Sequence, residues 1–304
     1  MRDPFHSGER LIQEKTEERD AALINGQSIT DQIPAAAQLF VTQQHYCALG
    51  WSSPDGELWS AFLGGLQGFA RTSEDRRTLY LRLDRDRSSL FCVPPFTEML
   101  EGDHLGVLFT ELATRRRLRV NGRIARFAGG EISLRIDQAY PLCPKYIQRR
   151  RVEEQELGPV TNGIREGEAL SEDLIAWITG ADTFFVASAH PDGPADVSHR
   201  GGSPGFVRYQ NGALRIPDYS GNSMFNTLGN LMLNPRAGLV FVDFAANRQL
   251  QITGDVRLDL KADVAVDETG GTGRWWEFTP RKWIITPLNT SFRWNFIDES
   301  PFNP

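Results

Sequence analysis

The sequence predicts a mainly β protein (α+β class) of two tandem barrels behind an N-terminal helix, and three observations carry that expectation. The chain has 304 residues, and at roughly 150 residues per domain two cores are the default. Short runs of β-branched and aromatic residues, separated by turn signals, recur along most of its length, which is the rhythm of closed sheets. The third observation is an internal repeat. Pro54-Asp55-Gly56 returns 137 residues later as Pro191-Asp192-Gly193, and the same offset aligns Gly64-Gly65 with Gly201-Gly202, Gly68-Phe69 with Gly205-Phe206, and Arg71 with Arg208. An offset of 132 then pairs Gly106-Val107-Leu108-Phe109 with Gly238-Leu239-Val240-Phe241, Arg116 with Arg248, Leu118 with Leu250, and Gly122 with Gly254.

Taken in order, the segment from Glu9 to Ile24 is charged and free of Gly and Pro, with Leu11, Ala22 and Leu23 as sparse apolar points. It predicts one exposed helix ending near Gly26. Phe40 to Thr42, Leu79 to Leu83, Val107 to Thr110, Leu118 to Asn121 and Ile132 to Ile136 read as strands of a first barrel. Arg149 to Glu168 is polar and charge-dense, a linker or a solvated helix. Ser171 to Thr179 reads as a short helix with Leu174, Ile175 and Ile178 on its apolar side and Gly180 as its stop, after which the strand rhythm resumes at Phe184 to Ser188. The expected division is a helical extension over 1–35, a first barrel over 36–150 and a second over 151–304.

Hydrophobic residues at 40% and charged residues at 24% describe a globular chain with enough apolar surface for sizeable cores. A net charge of −6 gives no electrostatic reason to expect nucleic acid or an anionic membrane as a partner. No apolar run approaches the roughly 20 residues of a membrane span, and the polar N-terminus does not read as a secretory signal. Cys47, Cys92 and Cys143 are an odd number at spacings unlike a metal knuckle, which points to reduced thiols and a cytoplasmic location with no metal.

The segment richest in chemistry runs from Asp196 to Arg208 and on from Leu214 to Asn230. A strand ending in Ser198, His199 and Arg200 sets hydroxyl, imidazole and guanidinium groups beside Gly201 and Gly202. Arginine suits phosphate because its planar fork donates two parallel hydrogen bonds, and glycine lets backbone approach a ligand. Downstream, Ser223 to Leu233 reads as a helix with Asn222 as its N-cap. A helix start favours an anion, so Arg200 and this helix could share one phosphate. The plainer reading is that Asn222 and Ser223 only cap the helix.

The order Leu214 to Asp218, Tyr219-Ser-Gly-Asn-Ser, Asn234-Pro235, Gly238-Leu-Val-Phe and Asn247-Arg-Gln-Leu-Gln-Ile-Thr-Gly254 resembles the pyridoxamine 5′-phosphate oxidase superfamily. Phe5-His-Ser-Gly-Glu-Arg, Gly56-Glu-Leu-Trp-Ser, Phe292-Arg-Trp and Ser300-Pro-Phe-Asn-Pro304 are similar to a bacterial two-repeat subfamily of it. The resemblance implies two FMN-binding split β-barrels fused into an internal pseudo-dimer. It puts Ser198, His199, Arg200 and Gly201 near FMN, with Asp218 nearby, Asn222 and Ser223 at its phosphate, and Gln249 on the isoalloxazine ring. Departures are visible: Asn222-Ser223-Met224 stands where the oxidases have Ser-Arg-Lys, and their basic pyridoxal-phosphate-binding residues have no counterpart. In the first repeat Phe62 stands where His199 stands and Leu63 where Arg200 stands, so one site is expected to have decayed.

Arg116, with Arg115 and Arg117, could then reach across the internal interface, or serve only as strand-edge charge. Trp275, Trp276, Trp283 and Trp294 could flank a flavin or simply fill cores, and Arg293 beside Trp294 joins the candidates. With FMN bound, the redox chemistry would be the cofactor's. The sequence carries no Gly-x-Ser-x-Gly, His-Glu-x-x-His or dinucleotide fingerprint. The expectation is an FMN-dependent oxidoreductase taking a small-molecule substrate and an electron donor such as NAD(P)H, with a homodimer as a further association. The competing expectation is a non-catalytic flavin or haem module for storage or sensing, with His199 as the haem ligand.

Overall fold

The computed structural model describes residues 3–88, 93, 95–156, 158–160, 163–261 and 268–304; Cys92 lies outside them. Two helices, α1 (Ser7–Lys15) and α2 (Arg19–Gly26), precede a short α3 (Gln38–Thr42). The first sheet comprises β1 (Tyr46–Ser52), β2 (Leu58–Gly64), β3 (Ala70–Thr72), β4 (Thr78–Arg82), β5 (His104–Glu111), β6 (Arg116–Ala128) and β7 (Glu131–Pro141). Next come β8 (Arg149–Glu154), β9 (Arg165–Gly167) and α4 (Glu172–Gly180). The second sheet comprises β10 (Thr183–Ala189), β11 (Ala195–Gly201), β12 (Arg208–Gln210), β13 (Ala213–Pro217), β14 (Arg236–Asp243), β15 (Arg248–Asp259) and β16 (Trp275–Pro287), with α5 (Asn226–Leu233) between β13 and β14. The last strand, β17 (Phe292–Asp298), pairs with β8 in a separate ribbon.

Both sheets are antiparallel and follow one order, β2-β1-β5-β6-β7-β4-β3 and β11-β10-β14-β15-β16-β13-β12. The register irregularity recurs too, between Asn121 and Gly122 on β6 and between Thr253 and Gly254 on β15. Each sheet curls around its own apolar core, the first including Leu49, Leu79, Val107 and Leu134, the second Phe184, Leu214, Phe241 and Trp276. The side-chain period of two on each strand sets this arrangement. On β6, Leu118 and Val120 enter the barrel core while Arg117 and Arg119 take the opposite face; on β15, Leu250 and Ile252 enter while Gln249 and Gln251 oppose them.

The outer faces pack on each other through a third cluster that includes Ala48, Phe62, Leu108, Phe185, Val197 and Val240. Contacts across it are reciprocal. A Cβ on Gly106 would lie 2.7 Å from Asp196 Cα, and one on Gly238 would lie 2.6 Å from Trp59 Cα. The offsets of 132 and 137 residues align Gly106 with Gly238 and Trp59 with Asp196, so the two close approaches involve aligned pairs of positions. Only glycine leaves room for backbone on backbone there.

Several sequence expectations need correction. The N-terminal helix is two: Glu17 takes a positive φ of 60°, and the Thr16 hydroxyl donates to the Ile12 carbonyl at 2.9 Å, so the chain folds back and each helix buries its own apolar point, Ile12 and Ala22. Phe40 to Thr42 is helical, burying Phe40 and Val41; three residues are too few to define a period. Arg149 to Glu168 holds strands β8 and β9, which gain their partners from β17 and β16, far along the chain. The expected boundary at 150/151 therefore falls inside β8. Among the described residues no helix is long and apolar enough to cross a membrane.

Candidate functional site

One cleft of about 120 Å³ gathers most of the polar residues singled out from the sequence: Ser198, His199, Arg200, Gly201, Asp218, Asn222 and Ser223 all line it. The strand β11 is an edge of its sheet, so a cleft can wrap its end and reach residues on both of its faces. Opposite stand Arg117 and Arg119 of β6, and the segment from Leu142 to Tyr146 after β7 completes the wall. The cleft is thus built from both sheets.

The expected helix from Ser223 begins later, at Asn226. Ser223 and Phe225 both have positive φ, 62° and 59°, which no helix accommodates. Asn222 accepts from the Met224 N–H at 3.2 Å in a local turn rather than capping, and the Ser223 hydroxyl donates to Glu18 at 2.6 Å. The helix start still faces the cleft through Asn226 and Thr227.

Charge is held there by a buried network. Arg119 is 2% exposed; it donates to the Tyr140 hydroxyl at 3.0 Å, to Asn226 Oδ1 at 2.9 Å and to the Ser198 hydroxyl, and lies 3.6 Å from Asp196. Arg200 donates to Asp218 Oδ1 at 2.7 Å, and Arg274 donates to the other oxygen of the same carboxylate at 3.0 Å. Burial pushes Arg117 down to about 10, still cationic at neutral pH. Burial, and then the nearby Arg117, Arg200 and Arg150, hold His199 well below its ordinary value, so its ring is neutral.

Among the described residues, five buried polar atoms at this cleft have no hydrogen-bond partner: Nε of Arg117, Arg119 and Arg200, and both ring nitrogens of His199. Buried polar groups are ordinarily satisfied, so guanidinium donors and an imidazole left open beside one another suit an anionic ligand rich in acceptors. Tyr146 and Tyr219 add aromatic surface at the same cleft, their ring centroids 5.0 Å apart. These residues fit a flavin phosphate and its polar ring edge.

Three candidates lie elsewhere. Arg116 pairs with Glu111 at 2.8 Å and lies over the Phe40 ring, with its side chain 57% exposed; it sits at the strand end, one residue out of phase with the cleft-facing Arg117. Arg293 pairs with Glu153 on the exposed ribbon. Gln249 is buried on the far side of the interface, accepting from the Phe62 N–H at 2.7 Å. The four candidate tryptophans, Trp275, Trp276, Trp283 and Trp294, are buried, and the cleft lining includes none of them.

Gln249 is informative where it is. At the 132-residue offset Arg117 corresponds to Gln249 and Arg119 to Gln251, and at 137 Ser198 corresponds to Ala61. Gln251 donates to the Ser60 carbonyl at 3.2 Å. At the positions aligned by these offsets two neutral amides are therefore bonded to the β2 backbone, with Phe62 and Leu63 aligned to His199 and Arg200.

Sequence reasoning missed Arg119, Lys145, Tyr146 and Asn226, and favoured Arg116 over Arg117. The signal for the arginines was present: alternation places Arg117 and Arg119 opposite the apolar Leu118 and Val120. Nothing local marked Tyr146, whose place depends on how the two sheets meet.

Residues 170–283 match the family described as pyridoxamine 5′-phosphate oxidase. No curated protein matches the sequence. Likenesses to solved structures are distant. HupZ of group A Streptococcus is 12% identical over 41% of this chain and 98% of its own, with a TM-score of 0.31. A FAD-binding protein of Mesorhizobium loti is 11% identical over 41% and 99%, at 0.29. A pyridoxamine 5′-phosphate oxidase-related, FMN-binding protein of Nostoc punctiforme is 15% identical over 29% and 42%, at 0.22.

Proposed function

We propose, for a chain that belongs through residues 170–283 to the pyridoxamine 5′-phosphate oxidase-like superfamily, that it binds one FMN in the cleft between its repeats and acts as an oxidoreductase. The observation that carries this is the set of open guanidinium and imidazole nitrogens contributed by both halves to one cleft. Arg200, Arg117 and Arg119 would hold the phosphate and other anionic edges, Ser198 and Thr227 would supply hydroxyl contacts, and His199 would donate or accept at the ring. FMN, when bound, supplies hydride and single-electron transfer. The chain's own residues orient it, keep water from its buried edge and fix the charge around it.

The reading includes an internal pseudo-dimer, the 36–150 and 151–304 parts standing in for two subunits. The common strand order and the reciprocal glycine contacts support it, as an interface related by a two-fold axis repeats each contact. The glutamine pair at the repeat-related position supports a single site per chain. A small-molecule substrate and an electron donor such as NAD(P)H complete the proposal. Purified protein should show a flavin doublet, bleached by NAD(P)H, and release FMN on denaturation. A colourless protein that takes up no added flavin refutes it, and a Soret band would transfer the cleft to haem, with His199 as ligand.

A further inference from the structure

The N-terminal helix reaches the cleft from behind. Helix α1 crosses α5 so closely that a Cβ on Gly8 would lie 2.1 Å from the Gly229 carbonyl oxygen, and one on Gly229 would lie 2.6 Å from Glu9 Cα. That crossing sets the Glu9 carboxylate, 6% exposed, against the first turn of α5. Glu9 accepts from the His6 N–H at 2.9 Å, closing a capping box, and from Asn226 Nδ2 at 2.5 Å. Asn226 in turn accepts from Arg119 at 2.9 Å and lines the cleft. One amide therefore separates a buried carboxyl from an arginine that lines the cleft.

We propose that Glu9 is a positioning residue that couples anion binding in the cleft to uptake of a proton. The inference rests on the anion-binding reading of the cleft. The groups facing Glu9 are few. From its cap comes His6, at 3.4 Å with its ring held neutral at about 4 by burial and then by His190 beside it. Strand β6 presents Arg119, β11 presents the buried Asp196, and β7 presents Tyr140; from α5 the Asn226 amide bonds to Glu9, and Asn230 meets His6. Burial raises Glu9 to about 7, opposed by the two hydrogen bonds and by Arg119 and reinforced by Asp196. An anion beside Arg119 spends part of the positive field that favours ionised Glu9, so proton affinity at Glu9 rises and the two bindings assist each other.

Inorganic sulfate tests this, because its charge does not change near neutrality. Calorimetric titration of the full-length protein at pH 7, in buffers of different ionisation enthalpy, should give a sulfate-binding enthalpy that varies with buffer. Affinity should fall several-fold from pH 6 to pH 8. Glu9→Gln should retain sulfate binding and lose both dependences. Glu9→Met, which avoids placing an amide donor against the His6 N–H, serves if the glutamine variant does not fold. A buffer-independent enthalpy in a wild type that still binds flavin overturns the role of Glu9 alone, as does proton uptake surviving in the variant. A wild type that binds neither sulfate nor flavin overturns the anion-binding reading beneath it.

Discussion

Replacing Arg117 by Met should move stability and affinity in opposite directions. The Arg117 side chain has no ion-pair partner among the described residues, and its Nε is unsatisfied. Holding a guanidinium near 10 rather than 12.5 corresponds to about 3 kcal/mol of penalty on the charged form. The residue keeps partial solvent contact, so about 1–2 kcal/mol is the expected gain on removing it, which raises the melting temperature by roughly 2–4 °C for a domain of this size. Methionine preserves much of the packing of the arginine stem. The same change removes a charge-assisted contact worth about 1.5–3 kcal/mol to a bound anion, a loss of roughly 10- to 150-fold in FMN affinity. Thermal unfolding of the flavin-free protein and a titration following quenching of FMN fluorescence read the two quantities separately. A variant that is less stable when flavin-free, or one that binds FMN as tightly as wild type, would refute the reasoning that Arg117 is retained for a ligand at a cost to the fold.

Gln249→Ala should leave FMN affinity and a stoichiometry of one flavin per chain unchanged while costing about 1–3 kcal/mol in urea unfolding, because the Phe62 N–H loses its buried acceptor; two flavins per wild-type chain would contradict the closed second position. Gly238→Val places side-chain atoms against the Leu58 and Trp59 backbone and should destabilise by at least about 2 kcal/mol, measured by denaturant midpoint, with an undisturbed variant counting against the tight meeting of the halves. For pH, Glu9 keeps between about 4.5 and 7 a proton that its unfolded form has lost, so its contribution to stability falls as pH rises through that window. His6, held at about 4 rather than 6.5, contributes with the opposite slope between those values. Glu9→Gln removes only the falling component, so its urea midpoint should climb more steeply than that of wild type from pH 4 to 6.5; superimposable profiles would deny the buried carboxyl its role.

The strand rhythm and the residue types of Ser198-His199-Arg200 were legible in the residues themselves, because turn glycines and period-two alternation are local physics. The same alternation, applied strictly to Arg116 through Val120, would have chosen Arg117 and Arg119. Helix limits were less accessible: Asn222 and Ser223 have cap-forming side chains, yet the backbone turns to positive φ at Ser223 and Phe225, and Ser223 and Asn222 bond there to Glu18 and Asn25, some two hundred residues away.

What the sequence alone determined is a mainly β architecture and a basic, glycine-flanked strand end, since both are written in spacing and residue type. Only the tertiary structure decided which arginines face that strand end, that Gln249 and Gln251 bond to the β2 backbone, and that the N-terminal helix lays a carboxyl behind Arg119. The physical reason is that side-chain alternation assigns a residue to a face of its sheet, whereas the packing of two sheets, set by glycine contacts such as those at Gly106 and Gly238, decides what that face meets.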